Sequence, residues 1–404
     1  MGRVFSPLDE ELALLPGTLA PRQQDHLVRL GSWMPFRHAS QVLHDLLGVF
    51  VSPETTRRLC EAVGKHLEEK QTLDAKRPWK EEGEKRENSS RMAISADGAM
   101  VPLLGGEWAE VRTLAIGEVP ACSADPEKVH VKDLSYFSRL TDAAHFTDLA
   151  EVETRRRQIV QAKEVCAVMD GADWLQAFVE IHRKDAVRIL DFPHAAEHLS
   201  QLLEALSARG HVFPPHMLER CLHLLKHRGP SALVRMADRL TEGDRSREEV
   251  REHLNYLRKR LDLMQYPLFQ QTGWPIGSGM VESANKLVLE ARLKGSGMRW
   301  ERTNVNSMLT LRNGVCNQRW QETWHTACQQ RLHARSQRRH ELAAQRQQAR
   351  QEVLKPELIS PPSPPPVPLL PPEPPAMIAG TSRPSSHHPW KRGLACAPSR
   401  FAKN

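Results

Sequence analysis

The chain has 404 residues, 40% of them hydrophobic and 26% charged, with a formal net charge of +7. That length implies two or three folded units, and no apolar run approaches the roughly 18 residues that a membrane-spanning helix needs. The start, MGRVFSPLDEELALL, lacks the basic, apolar and small-residue succession of a secretory signal, so a cytoplasmic protein is expected, and its positive charge permits a polyanionic partner without requiring one.

Residues 1–75 read as a helical region. Apolar residues recur at helical spacing in HLVRLGSW and HASQVLHDLLGVFVSPETTRRLCEAVGKHLEEK. Gly48 breaks the second stretch, and Ser52-Pro53 supplies an N-cap and a first-turn proline, so two helices joined by a short turn are predicted. In a helix-turn-helix reading, Thr55, Thr56, Arg57 and Arg58 on the second helix face DNA; two packed helices with an exposed arginine pair is the plain alternative. Residues 76–90, rich in charge and poor in apolar side chains, read as a linker.

From residue 91 the pattern changes. RMAISADGAMVPLL and GEWAEVRTLAIGEV combine apolar runs with turn residues, as strands of a meander do. An irregular segment follows, then a helix over 145–163, the strand EVCAVMD (164–170), the helix ADWLQAFVEIH and the strand DAVRILD (185–191). The predicted fold class is α/β (α+β): a mixed sheet with helices packed on it. Residues 199–270 form a leucine-rich helical insertion. Residues 271–328 return to the core, and 329–352 form a basic helix. The tail 353–404 holds eleven prolines within residues 355–375 and reads as extended or disordered.

Seven cysteines (Cys60, Cys122, Cys166, Cys221, Cys316, Cys328 and Cys396) never form a CxxC pair, which favours reduced core thiols over a disulfide framework or a thiolate zinc site. Three carboxylates stand where elements begin or end: Asp97 in ISADG, Asp170 in VMDGADW and Glu282 in GSGMVESA. Each alone reads as a turn former. If the strands carrying Asp97 and Asp170 are neighbours, about 4.8 Å apart, both reach one metal ion, and a third acid from a packed helix completes a two-metal site. Such a site suits phosphoryl transfer from nucleic acid with Mg²⁺, which prefers hard oxygen ligands. His194 and His198, four apart, could join Asp191 around zinc, but no fourth ligand is evident and packing histidines are expected.

ISADGA, VMDGADWLQ, ILDFPHAAEHL and GSGMVESANKLVLEARLKGSGMRW, in this order and with a helical block before the last, resemble bacterial insertion-sequence transposases of the Kra type. These are relatives of the Mutator-like DDE transposases, and the resemblance runs from about Phe5 to the HHPWKR tail. It implies a ribonuclease-H-like catalytic domain over 91–198 and 271–328 in which Asp97, Asp170 and Glu282 are the catalytic and metal-binding triad for two Mg²⁺ ions, with Mn²⁺ as a substitute. Asp191 is the alternative second acid. In this fold the fourth strand pairs with the first and the fifth lies farther out, which favours Asp170, and leaves Asp191 and His194 an accessory role. Relatives commonly carry a longer, cysteine-rich N-terminal region, so a truncated copy is one expectation.

The implied partners are the terminal inverted repeats and target DNA, processed by a homodimer or larger assembly, with a bacterial, nucleoid-associated location. Arg292, Lys294 and Arg299 are candidate phosphate contacts, with a solvated helix face as the alternative. Trp108, Trp174, Trp274 and Trp300 are expected to pack rather than stack on bases. The rivals are a nuclease of the same fold that cuts without joining, and an inactive relic that binds DNA through residues 37–70. The two Gly-Ser-Gly triplets do not make a P-loop, since GxxxxGK[ST] is absent. Ser278 is expected to cap the helix that holds Glu282, and the second triplet to set basic residues beside the metal site.

Overall fold

A computed structural model of the chain describes residues 19–77, 88–120, 129–240 and 248–353. Among the described residues three helices come first: α1 (Pro21–Trp33), α2 (Phe36–Leu47) and α3 (Pro53–Ala75). Gly48 ends α2 with φ +66, and its N–H donates to the His44 carbonyl. Ser52 starts α3 by accepting the Thr55 N–H at 3.0 Å, with Pro53 in the first turn. The two predicted helices and their short joint are therefore present.

Among the described residues five strands make one sheet: β1 (Asn88–Pro102), β2 (Trp108–Val119), β3 (Lys132–Arg139), β4 (Ala162–Met169) and β5 (Val187–Leu190). Their order is β3-β2-β1-β4-β5, antiparallel across β3, β2 and β1 and parallel across β1, β4 and β5. This mixed sheet has the fourth strand beside the first and the fifth outside it, as a ribonuclease-H-like sheet requires. Two details differ from expectation. The strand β3 falls in the segment read as irregular, and β1 runs straight through Asp97-Gly98 instead of turning there, because Asp97 and Gly98 stay paired with Thr113 and Arg112 of β2.

Side chains alternate across the sheet. Met92, Ile94 and Ala96 join Leu114, Ile116 and Phe137 on one face, covered by Phe146 of α4 (Ala143–Arg156) and Phe178 of α5 (Asp173–His182). Ala93, Val111, Ala115 and Val168 belong to the core of the other face. Onto that core pack the helical insertion and the helices that follow it. These are α6 (Phe192–Ser207), α7 (Met217–Arg228), α8 (Pro230–Leu240), α9 (Glu248–Lys259), α10 (Tyr266–Gln271), α11 (Gly279–Ala284) and α12 (Arg302–Cys316). Helix α6 crosses the predicted boundary at residue 198 without a break. Helix α13 (Trp320–Val353) contains the basic stretch but starts earlier than predicted. Residues 344–404 form a second unit, of which only the last turns of α13 are described. The proline-rich tail lies outside the described residues, as does most of the predicted linker.

The free edge of β3 is covered by side chains. Asn313 accepts from the Ser138 N–H at 3.2 Å and donates to the Ser138 carbonyl at 3.3 Å, and Asn317 does the same for Tyr136 at 2.7 and 2.8 Å. Asn306 repeats it for Leu140 at 2.7 and 3.1 Å. One face of α12 and the turn after it thus replaces a sixth strand, amide by amide, and satisfies an edge that would otherwise be open to pairing. Helix α3 lies close against the same helix: a Cβ on Gly64 would sit 2.2 Å from the Ser307 carbonyl oxygen.

Candidate active site

The last registered pair between β1 and β4 is Ile94 with Ala167, and the Ser95 hydroxyl donates to the Val168 carbonyl at 2.6 Å. Three residues past that pair stand Asp97, still in β1, and Asp170, the first residue after β4. Asp97 is half-buried on the face shared with Ala93 and Ser95; its Oδ1 accepts the Gly98 N–H at 2.7 Å and its Oδ2 the Asn285 side-chain amide at 3.0 Å. Burial raises the Asp97 carboxyl above its ordinary pKa, and the charges of Asp170, Glu110 and Glu282 push the same way against the Gly98 hydrogen bond. The three predicted acids therefore share one electrostatic neighbourhood, and Glu110, unremarked in the sequence, belongs to it.

Asp170 is fixed through both its side chain and its backbone. Its Oδ1 accepts the Ala172 N–H at 2.8 Å, and its carbonyl accepts the Tyr256 hydroxyl. Gly171 has φ +82, where a Cβ would meet Arg260 Nε at 2.5 Å. Arg260 donates to the Gly171 carbonyl from Nη2 at 2.6 Å and stacks on the Tyr256 ring at 3.8 Å. The end of the insertion thus clamps the turn that presents the second acid. Neither clamp residue stands out in the sequence, since REHLNYLRKR is an ordinary amphipathic pattern.

Asp191 has another task. It is buried beyond β5, and its Oδ1 accepts the Ser278 N–H at 2.7 Å. Burial raises its carboxyl too, with Glu282 adding to the rise and Ser278 opposing it. Ser278 stands at the N-cap of α11, but its side chain makes no cap hydrogen bond; Asp191 holds its N–H instead, which corrects the predicted cap. Glu282 is exposed in the first turn of α11. The helix continues through a π turn (Asn285–Glu290) into a last turn (Ala291–Leu293), and the π turn starts at Asn285, the residue that reaches Asp97.

The histidines pack. His198 stacks on Tyr256 at 3.6 Å, its Nδ1 lies 3.1 Å from His253 Nδ1, and burial first, then the neighbouring positive groups, push its pKa down to about 4. His194 lies edge-on to His198 and reaches Glu197 at 3.7 Å. Among the described residues, no three His, Cys, Asp or Glu side chains converge on one ion. Cys60, Cys166 and Cys221 are buried free thiols and Cys316 and Cys328 half-buried ones; Cys122 and Cys396 lie outside the described residues. Trp274 and Trp300 are buried and Trp174 meets Phe146 edge-on, whereas Trp108 is exposed.

The predicted DNA contacts divide. Thr55 and Arg58 are exposed, but Thr56 is fully buried and donates to the Ser52 carbonyl, which removes it from the set. Arg57 is held between Glu54 and Glu61 at 2.7 and 2.6 Å, and Arg58 pairs with Glu54. Arg292 is 1% exposed, donates to the Gly31 carbonyl at 2.9 Å and lies between the Phe36 and Trp300 rings, so it joins the helix to α1 and α2 rather than facing solvent. Lys294 pairs with Glu290 at 2.9 Å, and Arg299 is exposed. The second Gly-Ser-Gly triplet thus turns the chain toward the N-terminal helices, contrary to the expectation that it sets basic residues beside the acids.

Among the described residues no helix is long and apolar enough to cross a membrane. The profile of an uncharacterised protein family (UPF0236) matches residues 27–322, a span that contains every acid described above. No curated protein matches the chain.

Proposed function

The chain belongs to the uncharacterised protein family UPF0236, and from its own residues we propose that it is the DDE transposase of an insertion sequence, of the Kra type. It binds the element's terminal inverted repeats, cuts at the ends and joins a 3′-hydroxyl to target DNA. The observation that carries this reading is the position of Asp97 in β1 and of Asp170 just past the end of the neighbouring parallel strand β4, with Asp170 and Glu282 both near enough to bear on the Asp97 charge.

The donor set fits Mg²⁺, or Mn²⁺ in its place. Its groups are carboxylates without cysteine, and Mg²⁺ is held by one or two carboxylates while keeping water and phosphate oxygens, so three converging side chains are not required. Crowded acid charge around a half-buried carboxyl is also the situation a divalent cation relieves. Asp97 and Asp170 would hold the ion between them and Glu282 would help hold the second; when bound, the ions activate an attacking oxygen and stabilise the leaving one.

The protein's share is positioning. Asn285 orients one Asp97 oxygen, Tyr256 and Arg260 fix the turn of Asp170, and Asp191 anchors the start of the helix that carries Glu282. Asp191 is thereby an accessory residue, a role we also propose for His194. Two ends must be processed together, so a homodimer or larger assembly is expected on DNA, and a bacterial, nucleoid-associated location is part of the same proposal.

Asp97→Asn tests this reading in two ways. DNA carrying the sequences that flank the gene should be cleaved in Mg²⁺ by the wild type and left intact by the variant. Stability should move oppositely. Folding raises the Asp97 pKa, so between the ordinary carboxyl value and the folded one the native state holds more protons, and stability falls as pH rises through that window. The amide removes the fall, so the variant's Tm should exceed that of the wild type at neutral pH without divalent ions and converge with it in acid. Cleavage by Asp97→Asn at the wild-type rate would refute the assignment.

A further inference from the structure

Away from the acids, a cavity of about 510 Å³ opens between α2, α3 and the chain after Glu282. Its size lies in the ~300–1,000 Å³ range of small-ligand sites. The rings of Phe36 and Trp300 line it, 6.1 Å apart and edge to face, and Leu104 and Met298 add apolar surface.

Its lining carries three arginines, Arg57, Arg292 and Arg299, against two carboxylates, Glu61 and the exposed Glu301, which leaves one positive charge over. Arg57 and Glu61 on the wall answer each other. Arg292, almost fully buried, spends Nε on the Gly31 carbonyl and Nη1 on the Met298 sulfur at 3.9 Å, but its buried Nη2 has no acceptor among the described residues. Burial lowers its pKa to about 10, so it stays charged at neutral pH. A buried cationic donor left unpaired is unfavourable unless something else supplies the acceptor. Arg299 lines the same cavity and is exposed to solvent. A ligand that satisfies this lining has apolar faces, an acceptor edge for Arg292 and a negative group for Arg299.

We propose that this cavity takes one unstacked nucleotide of a DNA strand, with the base inside against the aromatic rings and its carbonyl edge toward Arg292, and the phosphate at Arg299. The inference rests on the DNA-processing function proposed above. Arg57 and Arg299, which lie on the two segments expected to contact DNA, are brought together on this lining although 242 positions separate them in the chain (299 − 57).

The test uses the full chain without divalent ions and fluorescence anisotropy of an end-labelled short oligothymidylate against the abasic deoxyribose-phosphate oligomer of equal length. The wild type is expected to bind the base-bearing strand roughly tenfold more tightly, the effect of about one stacked base. Asn304→Trp, which fills the cavity, should abolish that advantage while leaving the abasic oligomer bound as before. Leu104→Trp repeats the test at an exposed lining position outside α12, should the first variant fold poorly. Arg299→Glu should weaken both oligomers.

A base advantage that survives in both filled variants would overturn the cavity assignment, as would equal binding of the two oligomers by the wild type, and either result leaves the DNA function standing. Unchanged binding by Arg299→Glu would overturn the phosphate position. If the wild type binds neither oligomer, the cavity and the DNA function fall together.

Discussion

Asp170→Asn is expected to reduce Mg²⁺-dependent DNA cleavage by at least about a thousandfold, ~4 kcal/mol of transition-state stabilisation, while the protein stays folded. The fold should survive because an asparagine Oδ1 can still accept the Ala172 N–H, and the Tyr256 and Arg260 clamps hold backbone carbonyls that the exchange leaves in place. The same exchange at Asp191 should act differently. Its oxygen serves the Ser278 N–H, a bond an amide retains, so activity is expected to stay within about tenfold of wild type. Single-turnover cleavage by the two variants, with circular dichroism to confirm folding, separates the candidates. An active Asp170→Asn beside an inactive Asp191→Asn would reverse the assignment.

Gly64→Ala should destabilise the fold severely although it adds a single carbon. The new Cβ would meet the Ser307 carbonyl oxygen at 2.2 Å and the carbonyl carbon at 2.6 Å, and both belong to the backbone of α12. No rotamer change relieves such a contact, so α3 and α12 must separate. Helix α12 is also the helix whose asparagines cover the β3 edge, so a shift there spreads into the sheet. The expected cost is about 3 kcal/mol, the upper end for overpacking a tight site, or more. Urea denaturation should show a lower midpoint with an unchanged slope. A midpoint equal to that of the wild type would mean that the two helices do not approach this closely.

The legible parts of the molecule are those governed by local pattern. Helices α1 to α3 announce themselves by apolar spacing and by Gly48, Ser52 and Pro53, and β1, β2 and β4 by apolar runs. Asp97, Asp170 and Glu282 stand out because an acid beside glycine near the end of an apolar run, or in the first turn after a Gly-Ser-Gly triplet, is conspicuous. What stays hidden depends on contacts between residues far apart in sequence. Strand β3, KDLSYFSR, has a weak pattern of its own and is completed by asparagines far along the chain, Asn313 lying 175 positions beyond Ser138. Arg292 looks like a surface cation in VLEARLKGSG, and only the approach of Gly31 and Phe36 shows that it is buried. Thr56 sits at the exposed end of a helix in sequence, yet its hydroxyl turns back onto Ser52. Asn285 gives no signal because the π turn that brings it to Asp97 has no sequence rule as strong as a cap.

That Asp97, Asp170 and Glu282 carry out transposition rather than cleavage alone is tested most directly by a joining assay. A labelled duplex made from the DNA flanking the gene is incubated with the protein, a target plasmid and Mg²⁺, and covalent transfer of label to the plasmid is measured. The wild type is expected to join its 3′ end to the plasmid, and Asp97→Asn, Asp170→Asn and Glu282→Gln to bind the duplex without joining it. Cleaved but unjoined ends would identify a nuclease, binding without cleavage an inactive relic, and joining by any of the three variants would contradict the assigned triad.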